Sequence, residues 1–409
     1  MKSNMTKVRN QQSLRAHNRI NILNLIREKG KISRVDISNQ FSIDKKTVSN
    51  IVDSLIRESL VTSAGFKESV AGRRQELLQI NGSHTNYIGI DLGATHIIGI
   101  LTDLNAKTLD RVYYEIRPGL SVELIINQMK TILDKLLHSK NATAPIESVG
   151  ICVPGFINPK AGISIISENI PGWQDVNLKE IFKREINKPI YLEDSSRTLG
   201  LAEKWLGHGR NQKNFIVLDL GYGIGMAIFI DGKLYTGYSY KSGEIGHTIV
   251  KVDGEKCVCG NRGCLETVAS GKAIAKEALR AIKEKKSEIL YGLTHGKAES
   301  VTAQDVSIAA SMGDKFSINL LKTAGRYVGV ALANAVNILN PSSVIIGGGL
   351  IKSGNILIDS LVESLKKNTM MGIIDDLQIH ISQLDVDGSA LGSALLALQH
   401  IFDFNIPAG

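Results

Sequence analysis

Three of the four cysteines in this 409-residue chain fall within eight residues, as Cys257-x-Cys259-x4-Cys264, and His247 stands ten residues before the first. Three sulfurs and one imidazole make a full tetrahedral zinc set, leaving no coordination position for a catalytic water. Gly260 and Gly263 supply the tight turns that such close spacing needs. The pattern favours a closed, structural zinc site over a redox pair or unrelated buried thiols. Cys152 stands apart in an apolar run and reads as a core residue. Glu244 and Glu266 flank the cluster. Carboxylates held beside a metal loop can accept hydrogen bonds from sugar hydroxyls. Each can equally be a helix N-terminal acid or a surface charge.

The elements that must position these groups alternate between strand and helix patterns after Asn81. YIGIDLGAT (87–95) and FIVLDLGYG (215–223) each read as an apolar strand ending in Asp-Leu-Gly, followed by a second apolar strand. A motif of this kind occurring twice predicts a duplicated, two-lobed α/β body. Backbone amides at the two turns could then face phosphate oxygens from both sides of a cleft. Asp91, Gly93, Thr95, Gly221 and Gly223 belong to these turns, and Gly348 to a third glycine run, SVIIGGGLIKSG (343–354). A glycine after a strand is by itself usually only a turn.

Residues 1–80 have a different character. They contain 15 Lys/Arg and 7 Asp/Glu, whereas the remainder carries 33 of each, so the whole net charge of +8 sits on this small module. That asymmetry points to a polyanion partner for the module alone. NRINILNLIREKG predicts a first helix capped by Gly30, SRVDISNQ a second with Ser33 as N-cap, and KKTVSNIVDSLIRES a third with Asp44 as N-cap. Val48, Ile51, Val52, Leu55 and Ile56 form one apolar stripe on the third helix. Its other face offers Lys45, Lys46, Thr47, Ser49, Asn50 and Arg57, short polar and cationic groups suited to the major groove. LVTSAG and ELLQI read as strands around a wing, with Arg73 and Arg74 at its base for phosphate or minor-groove contact. These features favour a winged helix-turn-helix over a protein-docking module. A homodimer on a two-fold site is expected, with a tetramer as the larger alternative.

Apolar residues make up 43% of the chain and charged residues 22%, ordinary values for a globular protein. No apolar run approaches the roughly 20 residues of a membrane span, and the basic N-terminus has no secretory apolar segment. The clustered cysteines suit a reducing compartment, so a cytoplasmic location is expected.

SGEIGHT followed by CVCGNRGCLE resembles the signature of the ROK family (repressors, open reading frames and sugar kinases). NIPGWQDVNLKE (169–180), ICVPGF (151–156), the two DLG turns, IIGGGL and GSALLAL agree with it, over nearly all of residues 85–409. The added winged helix resembles the repressor branch, whose members control sugar-catabolic operons such as those for xylose and N-acetylglucosamine. The resemblance implies an actin-like, ribonuclease-H-like duplicated α/β fold with a carbohydrate between the lobes. It also implies zinc ligation by His247, Cys257, Cys259 and Cys264, and sugar contact by Asn169, Glu244, His247 and Glu266. His247 would serve both, one ring nitrogen on the metal and the other facing the ligand. The implied domains are a tail at 1–13, the winged helix at 14–80, lobe I at 85–197 plus 388–409, and lobe II at 198–387.

The departures from the kinase branch bear on function. ROK kinases carry Asn-Asp-Ala-Asn, whose Asp is general base eight residues before a Glu. Here the segment is DSSRTLGLAE (194–203), which puts Ser195 at the base position and Asp194 one residue earlier. A serine hydroxyl cannot hold a proton near neutral pH; a one-residue shift would bring Asp194 to the sugar. His96 stands where the kinases commonly have Lys, and Ala94 where they prefer Gly. Asp219 and Tyr222 replace small or threonine residues in the second loop, and a carboxylate and a phenol there oppose a triphosphate, so ATP binding is doubtful. The expected function is therefore a sugar-responsive DNA-binding regulator that is not an enzyme, in which ligand-driven lobe movement shifts paired winged helices on operator DNA. The alternative is an ATP-dependent sugar kinase with an accessory DNA-binding domain.

Overall fold

The computed structural model describes residues 2–67, 74–116, 119–167 and 169–402. Helix α1 spans Lys2–Lys29. It starts well before the expected Asn18 and takes in most of the stretch read as a tail, because nothing from Lys2 to His17 is a glycine or proline that would break it. Gly30 ends it at φ 73. Helix α2 (Arg34–Phe41) is capped by Ser33, whose hydroxyl accepts the Asp36 amide. Helix α3 (Lys45–Arg57) is capped by Asp44, which accepts the Thr47 amide. Val48, Ile51, Val52 and Leu55 are buried as the period requires. Ile56 is exposed instead, at 36%, since it lies at the edge of the stripe. Strands Val61–Phe66 and Glu76–Ile80 pair antiparallel, and the short Ile32–Ser33 strand pairs with the second.

The body repeats one topology twice. In the first sheet Asn86–Leu92 is central. It pairs antiparallel with His96–Asp103, which pairs antiparallel with Thr108–Glu115, and on its other side lie Ile146–Val153 and Ile190–Asp194, both parallel. In the second sheet Phe215–Leu220 is central. It pairs antiparallel with Ile224–Ile230, which pairs antiparallel with Lys233–Leu234, and its other side carries Ser343–Gly347 and Gln378–Ile381, both parallel. Both expected DLG hairpins are thus the central hairpins of equivalent sheets.

The C-terminal helix, Gly388–Phe402, returns to lie on the first sheet. It can approach the strands closely because Gly89 and Gly150 face it: an added Cβ would lie 2.2 Å from the Ala390 carbonyl oxygen and 1.8 Å from that of Ser393. The helix Ser195–Leu206, hereafter the cleft helix, packs against this C-terminal helix and also against the Ile224–Ile230 strand. The expected lobe boundary at 197/198 falls inside it.

The winged-helix core continues into the body. Ile22, Leu23 and Ile26 of α1 share one buried cluster with Ala202 of the cleft helix and with Leu395, Leu398 and Phe402 of the C-terminal helix. No described helix is long and apolar enough to cross a membrane.

Candidate functional site

The candidate nucleic-acid face comes first in the chain. Lys45, Lys46 and Asn50 are exposed on α3, while Thr47 and Ser49 are half-buried beside them. The Ser49 carbonyl accepts a hydrogen bond from Arg34, whose guanidinium also pairs with Asp53 at 2.7 Å. These bonds fix α3 on α2, the geometry of a helix-turn-helix. Arg74 is exposed at the base of the wing; Arg73 lies outside the described residues.

A cavity of about 260 Å3 lies between the two sheets. Asn169, Asp194, Glu244, His247 and Glu266 all line it, as do Asp91, Gly93, Thr95, Gly221, Gly223 and Gly348. Its size is just below the range of about 300–1,000 Å3 typical of drug-sized ligands, which suits a small polar molecule. Glu266 opens a short helix, Glu266–Ala269, and one of its oxygens accepts the Ile224 amide at 3.1 Å, which holds the carboxylate across the second hairpin. Asn169 accepts a hydrogen bond from Lys272 at 3.3 Å. Asp194 ends its strand at the cavity and caps the cleft helix, its Oδ1 accepting the amides of Ser196 and Arg197 at 3.0 and 3.2 Å. Ser195 also lines the cavity, its hydroxyl buried without a hydrogen-bond partner.

The floor of the cleft is acidic. Asp91, Asp194 and Asp219 line it together. Asp219 accepts the Ser196 hydroxyl at 3.2 Å, and His96 lies 3.5 Å from Asp91. Burial, then the neighbouring Asp194 and Asp91, push the Asp219 carboxyl up to about 7. Burial also raises Asp194. The Cys152 thiol, fully buried in its strand, donates to Asp91 at 3.1 Å and is itself raised by burial and by that carboxylate. Tyr222, at the mouth, is 39% exposed.

The four proposed metal ligands converge. Their donor atoms all lie within 4.8 Å of one another, with His247 Nδ1 3.6 Å from Cys257 Sγ and Cys259 Sγ 3.6 Å from Cys264 Sγ. Zinc–sulfur bonds of about 2.3 Å place tetrahedral ligand atoms about 3.8 Å apart, so the set fits zinc. The loop that presents them turns at Gly260 (φ 98) and Gly263 (φ 72), and a Cβ on Gly263 would lie 1.7 Å from the Lys251 carbonyl oxygen. Since Nδ1 of His247 faces the sulfurs, Nε2 is the nitrogen left for the cavity.

Several participants carried no signal in the spacing of motifs. Lys272 follows the metal loop by eight residues. Arg197, fully buried, pairs with Glu193 at 2.7 Å and donates to the Tyr240 carbonyl, locking the start of the cleft helix. At the far end of that helix, the Arg27 guanidinium of α1 lies 4.0 Å over the Trp205 ring, and Asn24 donates to the Phe402 carbonyl at 2.8 Å. The closeness of α1 to the body could not be read from either segment alone.

The ROK family profile matches residues 87–400, and a winged helix-turn-helix DNA-binding profile matches residues 15–62. Among curated relatives, a xylose repressor of Caldicellulosiruptor bescii is 31% identical over 396 residues, covering 97% of this chain and 98% of its own length. A glucokinase of Thermotoga maritima is 34% identical over 315 residues, covering 77% of this chain and 98% of its own. Among solved structures, a ROK family transcriptional regulator described as a homolog of the Escherichia coli MLC protein superposes with a TM-score of 0.78 at 26% identity, over 94% of this chain and 96% of that one.

Proposed function

Because the chain belongs to the ROK family, we propose that it is a sugar-responsive transcriptional repressor whose carbohydrate effector binds the interlobe cleft. The alignment with the xylose repressor extends through both the winged helix and the body, whereas the glucokinase matches the body alone. Lys45, Lys46, Thr47, Ser49 and Asn50 read the operator in the major groove, with Arg73 and Arg74 on the backbone. A homodimer places two such modules on a two-fold site. Asn169, Asp194, Glu244, His247 and Glu266 hold the sugar hydroxyls. His247, Cys257, Cys259 and Cys264 would hold a zinc ion, and this cross-link would fix the loop that leads to Glu266. Xylose is the first candidate effector, by likeness to the repressor.

The observation that carries the reading is the cleft helix. Its first turn, from the Asp194 cap through Ser196, lines the cavity, and its last turn, at Trp205, meets α1 of the winged helix. A ligand that prefers one lobe arrangement moves this helix, and with it the seat of the DNA-binding module. Phosphoryl transfer fits the site less well. Ser195 occupies the base position, Asp194 Oδ1 is committed to two backbone amides, and Asp219 and Tyr222 line the cavity at the second glycine turn, where they oppose a triphosphate.

A thermal-shift screen against pentoses, hexoses and their phosphates tests the reading, since a ligand that binds only the folded state raises its melting temperature. A stabilising sugar that also lowers operator affinity supports it. ATP-dependent consumption of that sugar would replace it with the kinase.

A further inference from the structure

A second cavity, of about 810 Å3, lies outside the interlobe cleft, where α1, the end of the cleft helix, the second sheet and the C-terminal helix meet. Its walls are strongly cationic. Arg27 and Lys29 enter from α1, Lys204 and Arg210 from the cleft helix and the turn after it, and Lys233 from the second sheet. Among the described residues that line it, Glu28 is the only acid, and its side chain is half exposed to solvent. Glu203 lies behind the wall, fully buried, its two oxygens accepting the Ser382 hydroxyl and the His208 amide. It is therefore committed within the fold.

The cations are poorly compensated. Arg27 Nε is buried with no hydrogen-bond partner, and its Nη2 reaches Asn24 and Glu28 only at 3.4 Å. Burial lowers Arg27 to about 10; Glu28 opposes the shift and the nearby Arg210 adds to it. Lys204 is lowered by burial and, against the opposing pull of Glu28, by Arg27; it donates to the Gln212 carbonyl at 2.7 Å. His208 and His380 line the same space as a parallel stack, ring centroids 4.5 Å apart. Charges of one sign gathered in a recess raise its affinity for the opposite ion.

We propose that this junctional cavity binds a phosphate-bearing small molecule, which bridges Arg27 of the DNA-binding module to Lys204, Arg210 and Lys233 of the body. An arginine fork and several ammonium groups lining one recess suit a dianion better than a single carboxylate. Trp205, Phe229 and Phe402 supply an apolar wall for an organic remainder. The volume lies within the range of small-molecule sites, about 300–1,000 Å3, and a recess of that size does not admit a DNA duplex. An occupant would tie α1 to the second lobe and so favour one seating of the winged helix. The site is distinct from the sugar cleft and stands whether or not a carbohydrate is the effector.

Calorimetry on the full-length protein tests this, with inorganic phosphate, pyrophosphate and glycerol 3-phosphate as probes and sodium chloride at matched ionic strength as control. Binding is expected for at least one phosphate probe, weakened ten-fold or more by Lys233→Ala combined with Arg210→Ala, and unchanged by Glu266→Ala in the sugar cleft. Tighter binding of glycerol 3-phosphate than of inorganic phosphate assigns the site to a phosphorylated metabolite; the reverse order assigns it to free phosphate. The proposal is overturned if no probe binds with a Kd below roughly 10 mM, if chloride reproduces the heat, or if the double variant binds as the native protein does. It is also overturned if Glu266→Ala abolishes binding, which would put the anion in the interlobe cleft.

Discussion

Replacing Asp219 by Asn probes the electrostatics of the cleft floor. In the folded protein this carboxyl titrates at about 7, raised by burial and by Asp194 and Asp91; in the unfolded chain it titrates near its ordinary value of about 3.9. Between those values the folded state binds more protons, so this group's contribution to stability falls as pH rises. From pH 5 to pH 8 the loss is at most about 2–3 kcal/mol, an upper bound because the group is partly open to the cleft. Asn cannot ionise and keeps much the same shape. The variant-minus-native difference in melting temperature should therefore grow in the variant's favour from pH 5 to pH 8. Thermal unfolding by circular dichroism at the two pH values, at constant ionic strength, measures the difference. A variant-minus-native difference that is the same at both pH values would refute the assignment of a strained carboxylate to Asp219.

Two other substitutions follow from the same geometry. Cys264→Ser leaves three strong ligands, so bound zinc measured by elemental analysis should fall well below one per chain and the protein should melt lower. Sugar affinity should fall with it, because Glu266 lies two residues beyond the lost ligand. Trp205→Ala removes the edge-on contact with Phe402 (centroids 5.2 Å apart) and the Arg27 stack, at a cost of about 1–3 kcal/mol in stability. It should leave sugar affinity within two-fold by calorimetry while reducing sugar-driven operator release at least about five-fold, the low end of a typical coupling energy.

Local chemistry made much of this protein legible in its sequence. Ser33 and Asp44 cap the helices they were expected to cap, since a short side-chain oxygen before an apolar period needs no distant partner. The repeated Asp-Leu-Gly turns revealed the duplication, because each hairpin is a local unit. Asn169, Glu244, His247 and Glu266, the sugar contacts that the family resemblance implies, line one cavity. What remained hidden depends on contacts between distant segments. The Arg27–Trp205 stack joins residues 178 positions apart, and the cation-lined recess draws on four such segments. The length of α1 was missed for a different reason: its first half has no apolar face to mark it, although nothing in it breaks a helix.

Under the proposed function, a sugar in the interlobe cleft controls operator binding by the winged helix. The direct measurement is operator occupancy by fluorescence anisotropy as the stabilising sugar is titrated, for the native protein and for Glu266→Ala. Both are expected to bind operator equally in the absence of sugar; sugar should release the native protein, and the variant should stay bound at the same concentrations. Release of Glu266→Ala with the native midpoint would contradict the proposed function.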